Sequence, residues 1–300
     1  MPAKRLRAEL ALAGVTAIWG VTFVLVKSAL EDISPALFLA ARFALASLLL
    51  AVMFRRELAG GLLGQAGSLK AGLSAGIFLA LAYLLQTVGL QYTSASKSAF
   101  LTSLCVVMVP LLGLAVYRNV PAAMEAVAVC MAMLGMYWLT APETGGGWNR
   151  GDMLTAVAAA AFASHVLVLE RYAPKLGFTA ISLLQVLVAA GCFAASFWWL
   201  ETPRVEWTGR VLWTLAVTAA LCTALAFTVQ AWAQQHTSAS RTALIFALEP
   251  ISAAATSYVV LGERLSGRAA MGAALILAAV LAVEWKPERI RKHLFHRGPV

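Results

Sequence analysis

Ten apolar runs, each of roughly 20 residues, fill the chain, at 9–29, 34–54, 70–92, 97–117, 121–140, 152–171, 178–200, 211–234, 240–261 and 267–285. Each is long enough to cross about 30 Å of hydrocarbon at about 1.5 Å rise per residue. Lipid offers no partner to a bare backbone N–H or C=O, so such runs must fold as helices that close their own hydrogen bonds. Composition agrees, with 61% hydrophobic and 12% charged residues against about 45–50% and about 25% in soluble domains. An all-α integral membrane protein with ten transmembrane helices is predicted. Only the ends and the Gly-rich stretches near 57–68 and 143–150 leave room for loops.

The runs fall into two related halves. Thr93-Ser94-Ala95-Ser96 recurs letter for letter as Thr237-Ser238-Ala239-Ser240, a spacing of 144 residues. A basic residue follows each copy (Lys97, Arg241), then a small hydroxyl (Ser98, Thr242), then alanine. Gln86 and Gln230 hold matching places upstream, as do Gln91 and Gln235. At a spacing of 143, Trp19-Gly20 lies opposite Phe162-Ala163 and Arg42 opposite Gln185. Residues 1–142 and 151–285 thus read as two five-helix repeats, and 286–300 as a basic cytoplasmic tail. Five is odd, so the second repeat enters the bilayer in the opposite sense. Two inverted repeats (5+5) in an apolar chain point to a transporter that alternates access around a midplane site.

Lysine and arginine set the orientation. With the N-terminus in the cytoplasm, 15 of them flank the inner ends of the spans and 7 the outer ends, with Arg42 inside a span. Both termini are therefore expected in the cytoplasm. Lys4, Arg5 and Arg7 precede a run too long for a signal peptide, so it reads as a first helix that stays. The net charge of +9 suits anionic lipid headgroups, and nothing in the sequence resembles a nucleic-acid module. Cys105, Cys130, Cys192 and Cys222 all fall inside apolar runs with no C-x-x-C pair, which predicts reduced, structural thiols. No metal or cofactor motif is present, and a monomer and a homodimer both fit.

Polar groups within the spans are candidate site residues. Glu249 lies about ten residues into its run, too deep to reach the interface. It reads as a site for a substrate amine or a proton, or as a structural carboxylate tied to nearby hydroxyls or to Arg42. Gln86 and Gln230 share helix faces with Tyr83 and Phe227, a pairing that suits a zwitterionic or aromatic ligand and equally suits interhelical bonding. His165 is either a buried, bonded histidine or a cavity group. Trp19 and Thr22 are expected to face the cavity from the first helix, and Phe246 from the ninth. Pro110 and Pro250 interrupt matching helices and predict kinks, either passive or gating together with Lys97 and Arg241. The Ser and Thr hydroxyls of the repeated turns are expected to cap the helices that follow. Gly72/Gly76 and Ala128/Ala132 mark close helix packing. The G-x-S-x-G string at Gly72–Gly76 lies within an apolar helix and lacks the strand-to-helix context of a nucleophile elbow.

With W19-G20-V21-T22-F23, A41-R42-F43, the T-S-A-S-K/R junctions, L248-E249-P250 and L261-G262-E263-R264, the chain resembles an EamA-type member of the drug/metabolite transporter superfamily. The first half departs from the pattern, with Arg118-Asn119 where a G-E-R-like element is expected. The resemblance implies a bacterial inner-membrane exporter of amino acids and related small metabolites, not an enzyme, with its cavity built from helices one, three, four, six, eight and nine. The alternatives are an exchanger of nucleotide-sugar or sugar-phosphate type and a broad drug/nucleoside exporter. Phosphate recognition would call for several cations at one depth, whereas Lys97 and Arg241 are expected at opposite faces.

Overall fold

A computed structural model describes residues 2–61, 67–118, 122–140, 148–261 and 266–284. Residues 262–264 of the L-G-E-R element, Asn119 and the basic tail lie outside the described residues. Among the described residues the chain is all-helical, with a single isolated bridge pairing Ile33 and Val205. The helices are α1 (Pro2–Ala29), α2 (Pro35–Met53), the short α3 (Arg55–Ala59), α4 (Ser68–Leu90), α5 (Ala95–Thr102), α6 (Cys105–Tyr117) and α7 (Ala123–Thr140). The second half supplies α8 (Arg150–Leu176), α9 (Phe178–Leu200), α10 (Gly209–Val217), a π-helical segment (Thr218–Leu225), α11 (Ala226–Ala233), α12 (Ala239–Phe246), α13 (Glu249–Leu261) and α14 (Gly267–Glu284). Among the described residues seven helical segments are long and apolar enough to cross a membrane, and Ala123–Leu139 and Gly267–Val283 are shorter apolar helices.

Apolar surface turned outward is what a lipid solvent selects. Leu48 (61% exposed), Val259 (78%) and Trp199 (86%) cover the outside of the bundle. Trp148, Trp198, Trp207 and Trp213 are also exposed near helix ends, as in the aromatic belts that sit at headgroup level. Inside, close approach of backbones substitutes for hydrophobic drive. A Cβ on Gly76 of α4 would stand 2.5 Å from that of Val188 on α9, and Gly72 meets Leu184 in the same way. The Gly72/Gly76 pattern read from the sequence is this helix contact.

The repeat is visible in where helices break. The run 97–117 divides at Ser103–Leu104 and the run 240–261 at Ala247–Leu248, again 144 residues apart. At both breaks the backbone tightens to three-residue bonds, Leu104 N–H to Leu101 O and Leu248 N–H to Ile245 O. The expected proline break holds in the second half, where α12 ends four residues before Pro250, and fails in the first. Pro110 lies inside α6, past its break, and Pro250 occupies the opening of α13, where a missing N–H costs nothing. The hydroxyl caps do form: Ser94 accepts from the Lys97 N–H at 3.2 Å and Ser238 from the Arg241 N–H at 3.4 Å.

One end of the bundle is pinned across the halves. Asp32, in the turn after α1, receives two bonds from Arg210 (3.0 and 2.7 Å) and one from Thr208 (2.7 Å). Glu201 accepts the orphan N–H groups of Ala36 and Leu37 at the start of α2. Hydrogen bonding from Arg210, then from Thr208, holds the Asp32 carboxyl below the usual carboxylate range. A depressed folded-state value means that this clamp contributes above the unfolded pKa of about 3.9 and is lost as pH falls through the folded value. Thermal unfolding in detergent should therefore lose more stability below about pH 4 in the wild type than in Asp32→Asn. Identical acid limbs would remove the clamp from the stability of the fold.

Candidate functional site

Polar groups at the two breaks face one central cavity, with about 760 Å³ of non-atom space, its open mouth included. Of its nineteen lining residues, fourteen form seven pairs at the repeat spacing. Trp19/Phe162, Thr22/His165 and Phe23/Val166 are 143 residues apart. Tyr83/Phe227, Gln86/Gln230, Thr102/Phe246 and Cys105/Glu249 are 144 apart. The cavity thus straddles the relation between the halves. Its five unmatched residues, Val26, Arg42, Thr87, Leu90 and Ser103, all come from the first half. Val26 and Leu90 extend it toward the end of the bundle that carries the α1–α2 turn.

All nine residues expected to bind substrate line this cavity: Trp19, Thr22, Tyr83, Gln86, His165, Phe227, Gln230, Phe246 and Glu249. Pro110, Pro250, Lys97 and Arg241 do not. Six of the nineteen lining residues are Trp, Tyr or Phe. Trp19 packs against Phe227 and Phe246 with centroids 5.6 and 5.2 Å apart, and Tyr83 against Phe162 and Phe227 at 5.3 and 6.0 Å. The indole N–H of Trp19 donates to Cys222 O at 2.9 Å, a carbonyl of the π-helical segment. A π-bulge withdraws carbonyls from the regular ladder, and here one of them fixes the tryptophan.

Gly20 sets the depth of Glu249. A Cβ there would lie 2.5 Å from Glu249 O, 2.6 Å from Ser252 Cβ and 3.0 Å from Ala253 N. Only glycine lets α1 lie this close to the opening of α13, from which Glu249 lines the same cavity as Trp19.

The polar groups are held unequally. Arg42 does not pair with Glu249, an arrangement the sequence left open. Its Nε donates to Thr223 Oγ1 at 2.8 Å and its Nη2 to Tyr83 Oη at 3.4 Å, with the guanidinium 4.7 Å from the Tyr83 ring centroid. His165 Nε2 bonds Gln185 Oε1 at 2.7 Å, so the histidine is a bonded buried group with a ring edge in the cavity. Gln86 donates to Thr102 Oγ1 at 2.8 Å. Glu249 has no hydrogen-bond or ion-pair partner among the described residues.

Two polar clasps link the repeated turns to the opposite halves. At one, Asp152 near the start of α8 accepts from Thr93 Oγ1 (2.7 Å) and Lys97 Nζ (2.6 Å). At the other, Glu9 on α1 accepts from Thr237 Oγ1 (3.0 Å) and lies 3.6 Å from Arg241 Nη1 and 3.2 Å from Arg5 Nε. Both acids are buried. The sequence reading singled out Lys97 and Arg241 and missed their partners. It also missed Thr102 and Cys105, which the 144-residue spacing marks as the twins of Phe246 and Glu249. Asp152 carried its own signal as the closing residue of a capping box with Asn149.

Residues 6–141 and 149–285 each match the model of the EamA-like transporter family. The chain is 35% identical over 280 residues to an uncharacterized transporter of Archaeoglobus fulgidus, covering 93% of this chain and 86% of that protein. It is 24% identical over 284 residues to the uncharacterized transporter YoaV of Bacillus subtilis, covering 90% and 94%. A solved structure described only as a crystal structure of a protein superposes with a TM-score of 0.73 at 16% identity, over 96% of this chain and 99% of that one. At that identity the likeness speaks for the fold alone.

Proposed function

The chain belongs to the EamA-like transporter family, and from that premise we propose that it exports amino acids and related small metabolites from the cytoplasm by alternating access. The architecture that goes with this reading is ten spans in two inverted sets of five. Broken α5–α6 and α12–α13 and the composite α10–α11 each count as one crossing, with both termini in the cytoplasm of a cell whose inner membrane holds the protein. The observation that carries it is the set of seven twin pairs around a single cavity. Two copies of one fold that share a cavity at their interface can exchange slightly different conformations, which opens the site first to one side and then to the other. The cavity is apolar and aromatic with a few polar groups, as small-molecule sites are. Arg42 is its one lysine or arginine among the described lining residues, which disfavours a phosphate clamp.

In proteoliposomes loaded with a panel of amino acids, amines and nucleosides, amino acids should be the transported class. Replacing Gln86 or Gln230 by alanine should lower that transport by about tenfold, the worth of one or two hydrogen bonds, with membrane expression unchanged. Normal transport by both variants would make the amides packing groups. A panel in which nucleosides alone move would replace the substrate class.

A further inference from the structure

We propose that Glu249, Gln230 and the rings of Trp19, Phe227 and Phe246 form an ammonium subsite, so that transported molecules are those that carry a primary ammonium group. This rests on the central cavity being the transport site. Two acceptors on cavity-lining residues lack donors. Glu249 is 8% exposed and has no hydrogen-bond or ion-pair partner among the described residues. A carboxylate left so in apolar surroundings is costly unless a cation meets it. Arg42 is held elsewhere, by Thr223 and Tyr83.

Gln230 is the second acceptor, and its orientation follows from a chain of bonds. Gln234 Nε2 donates to the Val166 carbonyl at 2.9 Å, and a carbonyl can only accept. Gln234 Oε1 must then receive the Gln230 amide nitrogen, at 3.1 Å. That leaves Gln230 Oε1 buried and unpartnered on a residue that lines the cavity. The backbone end of the chain removes the usual ambiguity of an amide flip.

The third component is aromatic. Trp19 spends its only donor on Cys222 O, so its π face is what it offers to a ligand, flanked by Phe227 and Phe246. An ammonium has three donors and no acceptor, and aromatic faces attract it further. A carboxylate, an amide oxygen and ring faces match those needs. The repeat sharpens the assignment. The twin of Glu249 is Cys105, so the first half supplies no second negative pole, and the substrate nitrogen is directed to the second half with the rest of the molecule toward Arg42.

The test is counterflow into proteoliposomes with four related probes: leucine, isoamylamine (leucine without its carboxylate), N-acetylleucine and 4-methylpentanoate. Leucine and isoamylamine should be taken up. Acetylating or removing the nitrogen should reduce uptake at least about tenfold, the scale of a charge-assisted hydrogen bond. Glu249→Gln should impose the same loss on both ammonium probes, and Glu249→Asp should recover part of it. Phe246→Leu should cost the same two probes several-fold, which gives a second readout if Glu249→Gln folds poorly. Leucine transport that survives Glu249→Gln, or N-acetylleucine moving as well as leucine, overturns the subsite and leaves amino-acid export standing. Isoamylamine moving without leucine, and lost in Glu249→Gln, supports the subsite and overturns amino-acid export.

Discussion

Replacing Gly20 by leucine is expected to lower transport by about 100-fold, the scale reported for a misplacement of about 1 Å at a reacting site. The cause is the closeness of α1 to α13. The first added carbon already falls 2.5 Å from Glu249 O and 2.6 Å from Ser252 Cβ, where carbon atoms settle at about 3.5–4.0 Å. The helices must part by about 1 Å, and a leucine's branched end adds to that. Glu249 and Trp19 sit on the two sides of this contact, so the cavity loses its geometry before it loses any of its chemical groups. Overpacking of this kind costs about 1–3 kcal/mol, small enough for the protein to stay folded in the membrane. Gly20→Ala should fall between wild type and leucine, since it adds the clashing Cβ and nothing beyond it. Transport and thermal unfolding measured on the three proteins separate a displaced site from a lost fold. Near-wild-type transport by Gly20→Leu would show that the α1–α13 contact does not set the site.

The helical class and the twofold repeat were legible because each has a signal of fixed period. Apolar runs report crossing length, and the repeated tetrapeptide reports the second half. The nine residues expected around the cavity converge there because the pairs Gln86/Gln230 and Tyr83/Phe227 already marked equivalent faces. The helix breaks were not equally legible. Proline is the sequence's usual sign of a bend, and Pro250 follows the break at Ala247–Leu248, yet the break at Ser103–Leu104 has Val106 at the matching place. The three-residue bond at the first break has no local mark in the sequence. The π-helical segment is hidden for the same reason, since Thr218–Leu225 reads as ordinary apolar helix. Asp152 and Glu9 escaped notice because they stand outside the turns they clasp, and only the fold brings them to Lys97 and Arg241. Arg42 was legible as a cation inside a span, and it is buried there. That its partners are a hydroxyl and a phenol, leaving Glu249 unpaired, depends on side-chain directions that spacing does not carry.

Breaking one clasp should bias the cavity toward one side of the membrane, and the two clasps should not be equivalent. Under the proposed orientation the Asp152 clasp closes the outer end and the Glu9 clasp the inner end. The outer one is tighter: Asp152 takes Lys97 at 2.6 Å, Thr93 at 2.7 Å and the Asn149 N–H at 2.9 Å. At the inner clasp Arg241 stands 3.6 Å from Glu9, Arg5 shares the same oxygen, and the second oxygen of Glu9 is buried without a hydrogen bond. Removing one partner of a buried pair costs about 3–5 kcal/mol. Lys97 is 27% exposed, and solvent screening reduces that to about 1–2 kcal/mol, or roughly a tenfold shift in an equilibrium between open and closed ends. Cys105 lines the cavity and gives a native reporter once Cys130, Cys192 and Cys222 are replaced by serine. Lys97→Met should raise labelling of Cys105 by a membrane-impermeant thiol reagent added outside by roughly tenfold. Arg241→Met should raise labelling from the cytoplasmic side instead, and by less, because Arg5 still faces Glu9. Opposite directions are the decisive feature, since a general loosening of the bundle would raise both. If both variants open the same side, or neither changes labelling, the clasps are static joints between the halves and the gates lie elsewhere along the cavity.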